Sequence, residues 1–212
     1  MGDADYLMAG EIKMGRPGVL FLIVGPSGVG KDSLIDGARQ FLQHDISFWF
    51  PTRFITRPAD AGGETHQAVT PEAFDRLQNS GAFMLSWHAH GHGYGIPIAV
   101  KEALARGRSV IVNVSRQMID EARRLWSPVR VMLITAPRDI LRDRLVKRGR
   151  ETIDDIEKRL DRVDAYHVDG SDVREVVNAH RLERAIDRFV AMLQYEVMSS
   201  IAARQKESEC SA

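Results

Sequence analysis

The sequence has almost no cysteine. Its 212 residues include one, Cys210, which has no second cysteine in the chain to pair with. Without a disulfide framework, nothing in the composition indicates an oxidising compartment. Residues 1–16 mix charged and small side chains and contain no apolar segment of the kind that a secretory signal needs. We therefore expect a cytoplasmic protein.

Long apolar runs and an excess of one charge are also absent. The longest aliphatic or aromatic run, residues 19–24, is far shorter than the roughly 20 residues that span a bilayer, so no membrane contact is expected. Lys and Arg total 29, as do Asp and Glu, and a formal net charge of zero argues against a protein that coats nucleic acid. This balance still allows a local basic pocket. We expect one globular domain without a nucleic-acid partner.

Short β-rich runs alternate with helix-like segments along the chain. Apolar runs predict buried strands at residues 19–24, 110–114 and 131–134, with 176–177 as a shorter fourth candidate. Apolar spacing and capping residues predict helices over 31–44, from Pro71 to Gly81, after Ser115, over 154–165 and over 181–203. The remaining residues 205–212 are expected to fray. This alternation is typical of an α/β fold with a parallel sheet between helices.

A glycine-rich segment follows the first predicted strand directly. It reads Gly25-Pro26-Ser27-Gly28-Val29-Gly30-Lys31, which is G-x-x-x-x-G-K. In such a loop the backbone N–H groups turn toward one anion, and the following helix adds its positive N-terminal end. Lys31 can then reach the terminal phosphates of a nucleoside triphosphate. A turn that merely links strand to helix is the alternative, but strand, loop and helix arrive in the order that phosphate binding needs.

The residue after this lysine departs from the usual pattern. Asp32, followed by Ser33, stands where a Ser or Thr hydroxyl would ligate Mg²⁺. A carboxylate is a hard oxygen ligand that can hold Mg²⁺ directly or through a water. The strand at 110–114 also ends without an acidic residue, so the usual second carboxylate is missing there. We expect Asp32 to take over part of that role as the metal ligand.

Four motifs in order resemble those of the guanylate kinase family. They are the glycine-rich loop, Ile55-Thr56-Arg57-Pro58, Gly91-x-x-Tyr94-Gly95, and Arg144-Leu145-x-x-Arg148-Gly149-x-Glu151. The resemblance covers about residues 19–190. It implies a three-layer P-loop kinase fold that uses ATP and Mg²⁺, with a central parallel sheet, an acceptor-binding insert near 50–97 and a helical lid near 138–165. It also implies one domain over 18–204, between tails at 1–17 and 205–212.

The positions that read guanine in that family hold other residue types here. By local alignment they are Arg53, Leu85 and Ser115. A site built to hydrogen-bond a base edge loses its discrimination when those groups are lost. Arg53 and the neighbouring Arg116 are instead cationic, which favours a different acceptor.

The resemblance also implies which residues hold the acceptor's phosphate. The phosphate-holding arginine of the family is retained as Arg57, and the matching tyrosine pair becomes His66 and Tyr94. The second arginine of the family motif aligns with Asp60 and is lost. A pocket that gains guanidinium groups suits a small molecule with more than one phosphate, because Arg forks match phosphate bidentately.

Three segments resemble one branch of the family, the bacterial ribose 1,5-bisphosphate phosphokinases of phosphonate breakdown. They are Arg53-x-x-Thr56-Arg57, Leu85-Ser86-Trp87-His88-Ala89 and Arg148-Gly149-Arg150-Glu151. Asp after the loop lysine also fits that branch. The resemblance implies transfer of the γ-phosphoryl group of ATP to the 1-phosphate of ribose 1,5-bisphosphate, giving phosphoribosyl diphosphate. The nucleophile is then an ionised phosphate, so no general base is required, and positioning and charge neutralisation carry the catalysis.

Basic residues are concentrated in the segment that corresponds to the lid. Arg144, Arg148 and Arg159 fall on the family's lid arginines, and the resemblance implies that they contact the triphosphate together with Lys31. For Arg138, Arg142 and Lys147 we prefer a solvated helix face, and the role of Arg150 stays open.

The histidines at 88–92 and Asn178 are further candidate site residues. His88-x-His90-x-His92 has the spacing of one strand face, but Gly91 and Gly93 favour a loop over a metal site. His88 is either an acceptor-site residue or a structural one. The resemblance places Asn178 near the adenine of ATP.

Two other functions compete with the sugar-phosphate kinase. One is a nucleoside monophosphate kinase acting on GMP, against which Leu85 and Ser115 speak. The other is a guanylate-kinase-like binding module without catalysis. The complete loop ending in Lys31 and the lid arginines argue against it, because a pure binding module does not need them.

Overall fold

The computed structural model describes residues 16–59, 64–149, 152–164, 167–179 and 181–210. Asp60, Arg150 and most of the predicted N-terminal tail lie outside the described residues, as does the side chain of Arg148. The elements follow in the order β1 (Leu20–Val24), α1 (Lys31–Phe41), β2 (Phe48–Trp49), β3 (Phe54–Ile55), β4 (Gln67–Ala68), α2 (Pro71–Asn79), β5 (Phe83–Ala89), β6 (His92–Pro97), α3 (Ala99–Ala105), β7 (Ser109–Asn113), a 3₁₀ turn (Arg116–Met118), α4 (Ile119–Leu125), β8 (Val129–Thr135), α5 (Arg138–Arg148), α6 (Ile153–Asp164), β9 (Val173–Val177) and α7 (Leu182–Cys210).

The larger sheet has five parallel strands in the order β2-β7-β1-β8-β9. Every residue of the central strand β1 is fully buried. This explains its unbroken apolar run, because α1, α5, α6 and α7 pack on one face of the sheet while α3, α4 and the smaller sheet pack on the other. The predicted α/β fold with a central parallel sheet is confirmed.

The smaller sheet is built from residues 54–97 in the order β4-β3-β6-β5. Its main part is the antiparallel hairpin of β5 and β6, in which Trp87 pairs with Tyr94. Gly95 allows a close approach there, because a Cβ at this position would lie 2.5 Å from the ring of Phe83. The sequence did not reveal these strands individually, since β3 and β4 are two residues long and show no alternation.

Local capping residues begin two helices where the sequence predicts them. Thr70 caps α2 by accepting a hydrogen bond from the backbone N–H of Ala73, and Pro71 occupies the first turn. At the start of α6 the Thr152 hydroxyl donates to Asp155 and accepts from the Asp155 backbone N–H. Ser115 precedes the 3₁₀ turn, but its side chain makes no capping bond.

The last helix is longer than its apolar stripe indicates. It runs to Cys210, so the expectation of a frayed segment from residue 205 is wrong for residues 205–210. These residues are polar helix formers, and no apolar periodicity marks them. Buried Glu196 fastens α7 to the sheet by accepting hydrogen bonds from Arg130 of β8 and Arg174 of β9. Within the described ranges, no helix has the length and apolar character to cross a bilayer.

Candidate active site

The glycine-rich loop lies at the carboxyl end of the parallel sheet, between β1 and α1. Gly28 and Gly30 have φ values of 97° and 91°, a region that side-chain-bearing residues rarely adopt. A Cβ at Gly30 would also lie 2.5 Å from the amide nitrogen of Asn178. The loop therefore needs glycine for its backbone shape and for its close contact with the residue after β9.

Lys31 begins α1 and turns its ammonium group back over the loop. The Nζ atom donates hydrogen bonds to the carbonyl oxygens of Gly25 at 2.7 Å and Pro26 at 2.9 Å. The charge is thereby held at the rim of the loop, next to the positive N-terminal end of the helix. Ser27 and Ser33 are exposed, and Val29 is fully buried under the loop.

Asn178 closes the other side of the loop. It is buried, and its Nδ2 atom donates to the Val29 carbonyl at 2.7 Å. Its backbone N–H donates to the Thr135 carbonyl, which ties it to the end of β8. Its Oδ1 atom is buried without a partner. The structure thus places Asn178 against the predicted phosphate loop.

Asp32 lies in the first turn of α1, beside the end of β7. Asn113, the last residue of β7, donates from Nδ2 to Asp32 Oδ1 at 3.0 Å. The carboxylate is exposed. A hard oxygen donor is therefore available at the sheet edge where the loop ends, which fits a magnesium ligand. The sequence did not predict the hydrogen bond of Asn113 to Asp32. It indicated only that the strand at 110–114 ends without an acidic residue.

Arg53 links the smaller sheet to this edge. It is 8% exposed, and its Nη1 atom donates to the Asn113 carbonyl at 2.7 Å. Its Nη2 atom forms an ion pair with Glu64. The guanidinium carbon lies 5.8 Å from the ring centre of Trp87 and 5.4 Å from that of Tyr94, two rings that stack on each other. Burial lowers the pKa of the Arg53 guanidinium to about 10, against opposing contributions from Asp32 and Tyr94.

Arg57 follows on the same segment and is half-buried. It forms no ion pair with a described carboxylate, and its Nε atom is buried without a partner. His66 bridges this segment: its Nδ1 lies 3.0 Å from the Glu64 carbonyl oxygen and its Nε2 lies 3.0 Å from the Arg57 carbonyl oxygen. Both ring nitrogens of His66 therefore face backbone, and the ring holds the two ends of the segment together.

Not all of the remaining acceptor candidates lie close to Arg53 and Tyr94. His88 is exposed and contacts Phe74 of α2, on the face of β5 opposite to the one that carries Trp87 and Tyr94. Arg116 is exposed at the start of the 3₁₀ turn that follows β7. Among the residues described, no cluster of three or more His, Cys, Asp or Glu side chains could hold a metal ion, and His92 instead bonds the Thr56 carbonyl oxygen.

Helix α5 packs directly on the phosphate loop. Leu141 and Leu145 are buried and approach Gly28, where a Cβ would meet them at 3.0–3.1 Å. Arg144 on the same helix points its Nη1 toward the Val29 carbonyl oxygen at 3.4 Å. Arg138 and Arg142 are exposed, as expected, and they also bond Glu157 of α6. The half-buried Arg159 lies on α6.

Buried polar atoms without partners are concentrated in this region. Among the described residues there are three such side-chain atoms: Arg53 Nε, Arg57 Nε and Asn178 Oδ1. Buried polar groups in folded proteins are normally paired. All three atoms belong to residues that the sequence assigns to ATP or acceptor binding. The donors and the glycine cradle therefore fit a site that a polar, phosphate-bearing ligand completes.

Comparison with known proteins agrees with this geometry. The chain is similar to the ribose 1,5-bisphosphate phosphokinase of Agrobacterium fabrum, with 43% identity over 181 residues that cover 85% of this chain and 99% of that protein. It is 44% identical to the bifunctional ribose 1,5-bisphosphokinase-thymidine phosphorylase of Roseobacter denitrificans over 84% of this chain, but it spans only 26% of that longer protein.

A solved structure shares the fold. The guanylate kinase of Anaplasma phagocytophilum aligns with a TM-score of 0.61 and 21% sequence identity, covering 86% of this chain and 88% of that one. The family model for guanylate kinase matches residues 17–196, a range that contains the phosphate loop, the smaller sheet and helices α5 and α6. On this match and on the relatives' identity over most of its length, the chain belongs to the guanylate kinase family.

Proposed function

We propose that the protein transfers the γ-phosphoryl group of ATP to the 1-phosphate of ribose 1,5-bisphosphate, giving 5-phosphoribosyl 1-diphosphate and ADP. The observation that carries the proposal is the pair of buried, unpartnered guanidinium nitrogens of Arg53 and Arg57 beside a pocket wall without base-reading groups. Leu85 is 1% exposed on the face of β5 that carries Trp87, where it offers a guanine no hydrogen bond. Curated relatives that are 40–45% identical and cover 74–85% of this chain carry this activity in their names.

ATP is the phosphoryl donor expected of a kinase of this family. We assign its phosphates to the loop of Gly25, Pro26, Ser27, Gly28, Val29 and Gly30, with Lys31 and Ser33 at the start of α1 and Asn178 on the nucleotide side. Asp32 would hold Mg²⁺, with Asn113 fixing one of its oxygens. When bound, Mg²⁺ neutralises part of the charge on the phosphates. With Mg²⁺ bound, the Asp32 carboxylate would be tolerable near a triphosphate, because the cation would offset the negative charge of both groups.

The acceptor lies on the side of the smaller sheet. Arg57 takes one phosphate in its fork, because no described carboxylate competes for its charge. We assign Arg116, which begins the 3₁₀ turn after β7, to the acceptor as well. Tyr94 forms the pocket wall beside Arg53. His66 acts through the backbone that it holds, and His88 supports α2 from the outer face of β5.

The attacking group is an ionised phosphate oxygen, so no residue has to remove a proton from it. The chain's own contribution is to align the two substrates and to spread positive charge over the transferred group. Lys31 and Arg144 approach from the loop and from α5, with Arg148 and Arg159 completing the lid of α5 and α6. Both substrates are highly charged metabolites that do not cross a bilayer unaided, so we place the reaction in the cytoplasm.

An acceptor panel tests this function. ADP release would be measured with ribose 1,5-bisphosphate and, separately, with GMP at equal concentrations, using the purified full chain. We expect turnover with the sugar bisphosphate and little or none with GMP. Lys31→Ala should abolish the turnover, which distinguishes catalysis from a contaminating kinase. A clear preference for GMP would overturn the assignment, and absence of any ATP-dependent turnover would favour a binding module.

A further inference from the structure

Among the described residues of the acceptor region, Glu64 is a charged group that the proposed function leaves without a role. It lies on the segment between Arg57 and β4, and its side chain is 17% exposed. Its Oε1 atom pairs with Arg53, whose side chain is 10% exposed. An anionic group is unexpected in a pocket for a molecule with two phosphates, since like charges brought together repel each other.

The ion pair fixes the Glu64 carboxylate in one place. Arg53 is itself immobile, because it donates to the Asn113 carbonyl and lies against the stacked rings of Trp87 and Tyr94. The backbone of Glu64 is packed against His66 as well, because its carbonyl oxygen lies 3.0 Å from one ring nitrogen of His66 and the other ring nitrogen faces the Arg57 carbonyl oxygen. A side chain fixed at both ends is suited to recognition, since binding then costs little further ordering.

The remaining oxygen of Glu64 defines what the group can recognise. Arg53 occupies Oε1, and no hydrogen bond from a described residue reaches Oε2. A carboxylate oxygen only accepts hydrogen bonds, so its ligand must be a donor. The proposed acceptor carries phosphates at C1 and C5, which accept, and hydroxyl groups at C2 and C3, which donate.

We propose that Glu64 is a specificity-determining residue that accepts hydrogen bonds from the ribose hydroxyl groups, and that Arg53 holds it for this purpose. The inference rests on the proposed function, because it needs a sugar between the two phosphates. Arg53 then acts on both parts of the acceptor: its Nη2 atom fixes Glu64, and its unpartnered Nε atom points to a phosphate. Arg57 remains the main phosphate contact, and Glu64 separates a ribose acceptor from a deoxyribose one.

Glu64→Gln is the sharpest variant. Arg53 can only donate, so the amide oxygen of the glutamine keeps the contact with Arg53. The second oxygen becomes an NH₂ group, which cannot accept a hydrogen bond from a hydroxyl group. The variant thus retains the size of the side chain and its bond to Arg53 while removing the proposed recognition. Glu102→Gln provides a matched control, because Glu102 forms an exposed ion pair with Arg106 on α3.

The experiment compares kcat/KM for ribose 1,5-bisphosphate and 2-deoxyribose 1,5-bisphosphate. We expect the wild type to prefer the ribose acceptor by about tenfold or more, as for a hydrogen bond to a charged group. Glu64→Gln should lower kcat/KM for the ribose acceptor by a similar factor and change that for the deoxyribose acceptor less than about twofold. Glu64→Asp, which keeps the charge, should retain part of the preference. Glu102→Gln should behave as the wild type.

Three results would overturn the inference without rejecting the proposed function. An equal loss on both acceptors in Glu64→Gln would mean that Glu64 only supports Arg53. A lower KM for both acceptors would mean that the carboxylate is a counter-ion displaced by phosphate. If the wild type turns over ribose 1,5-bisphosphate without any preference over the deoxy compound, the hydroxyl contact is absent. No turnover of the ribose acceptor by a folded wild type would instead reject the proposed function, and this inference with it.

Discussion

Arg53 and Arg57 are four residues apart and have opposite electrostatic surroundings. Arg53 is buried against two aromatic rings and neutralised by Glu64, whereas Arg57 has no described carboxylate beside it. The two arginines therefore offer a phosphate different contacts: Arg53 has only its Nε atom unpartnered and shares its charge with Glu64, whereas the charge of Arg57 has no described carboxylate partner. This difference between the two arginines follows from burial. A desolvated guanidinium needs a counter-ion within the protein, whereas a half-exposed guanidinium is still solvated by water when no ligand is bound.

Arg57→Lys tests the phosphate clamp. Lysine keeps the charge but loses the planar fork that binds phosphate bidentately. We expect the KM for ribose 1,5-bisphosphate to rise about tenfold, the size of one charge-assisted hydrogen bond, with little change in the KM for ATP. Steady-state kinetics with each substrate varied in turn gives both values. Arg76→Lys on the exposed side of α2 is the control. A rise confined to the KM for ATP would mean that Arg57 binds ATP and not the acceptor.

Asp32→Asn tests the assignment of Asp32 as a magnesium ligand. The amide oxygen can still accept the hydrogen bond from Asn113, so the local geometry is retained while the negative charge is lost. We expect the Mg²⁺ concentration for half-maximal rate to rise about tenfold, because a hard cation prefers a carboxylate. Calorimetric titration of ATP with and without Mg²⁺ should show the same weakening. An unchanged Mg²⁺ requirement in both measurements would contradict the assignment.

Helix α7 depends on one buried carboxylate for its attachment to the sheet. Glu196 is 1% exposed and bonds Arg130 and Arg174, which come from adjacent strands β8 and β9. Arg130 also donates to Ser200, one turn further along α7. These polar contacts hold α7 against the sheet together with the apolar contacts of Phe189 and Leu193.

Glu196→Ala should lower the free energy of unfolding by about 3 kcal/mol, because both arginines lose the buried carboxylate that they share. Glu102→Ala removes an exposed ion pair on α3 and should cost less than about 1 kcal/mol. Urea unfolding followed by circular dichroism measures both. Because Glu196 lies away from the loop and the smaller sheet, kcat of the folded variant should stay within about twofold of the wild type. A loss of stability equal to that of the control would mean that apolar packing alone holds the helix.

At the scale of the whole molecule, the sequence predicted what periodicity and local motifs encode. Four of the five parallel strands, the capped start of α2 and the phosphate loop were predicted because each depends on neighbouring residues, whereas the two-residue strand β2 was not predicted. The ion pair of Arg53 with Glu64 and the bond of Asn113 to Asp32 were not predicted. Each joins residues far apart in the sequence or on an irregular segment, and no pattern marks them. The end of α7 was missed for a related reason, since its last turns are polar and carry no apolar stripe.

The loop, α5 and α6 form one packed unit, which predicts how ATP stabilises the protein. Leu141 and Leu145 join α5 to the loop, and Arg138 and Arg142 join α5 to Glu157 of α6. A ligand that binds only the folded state at 100 times its Kd adds about 2.7 kcal/mol, which corresponds to a rise in Tm of about 5–10 °C for a chain of this size.

Thermal unfolding with and without Mg-ATP measures this rise, and hydrogen exchange locates it. We expect ATP to slow exchange in the loop and in α5 and α6 together, because the buried leucines transmit ordering of the loop to both helices. The β5–β6 hairpin should respond to the acceptor instead. Lys31→Ala should lose most of the ATP effect and change the Tm of the ligand-free protein much less, since the hydrogen bonds of its ammonium group to Gly25 and Pro26 lie at the rim of the loop. Slowed exchange in the loop with α5 and α6 unchanged would show that the helices are not coupled to nucleotide binding.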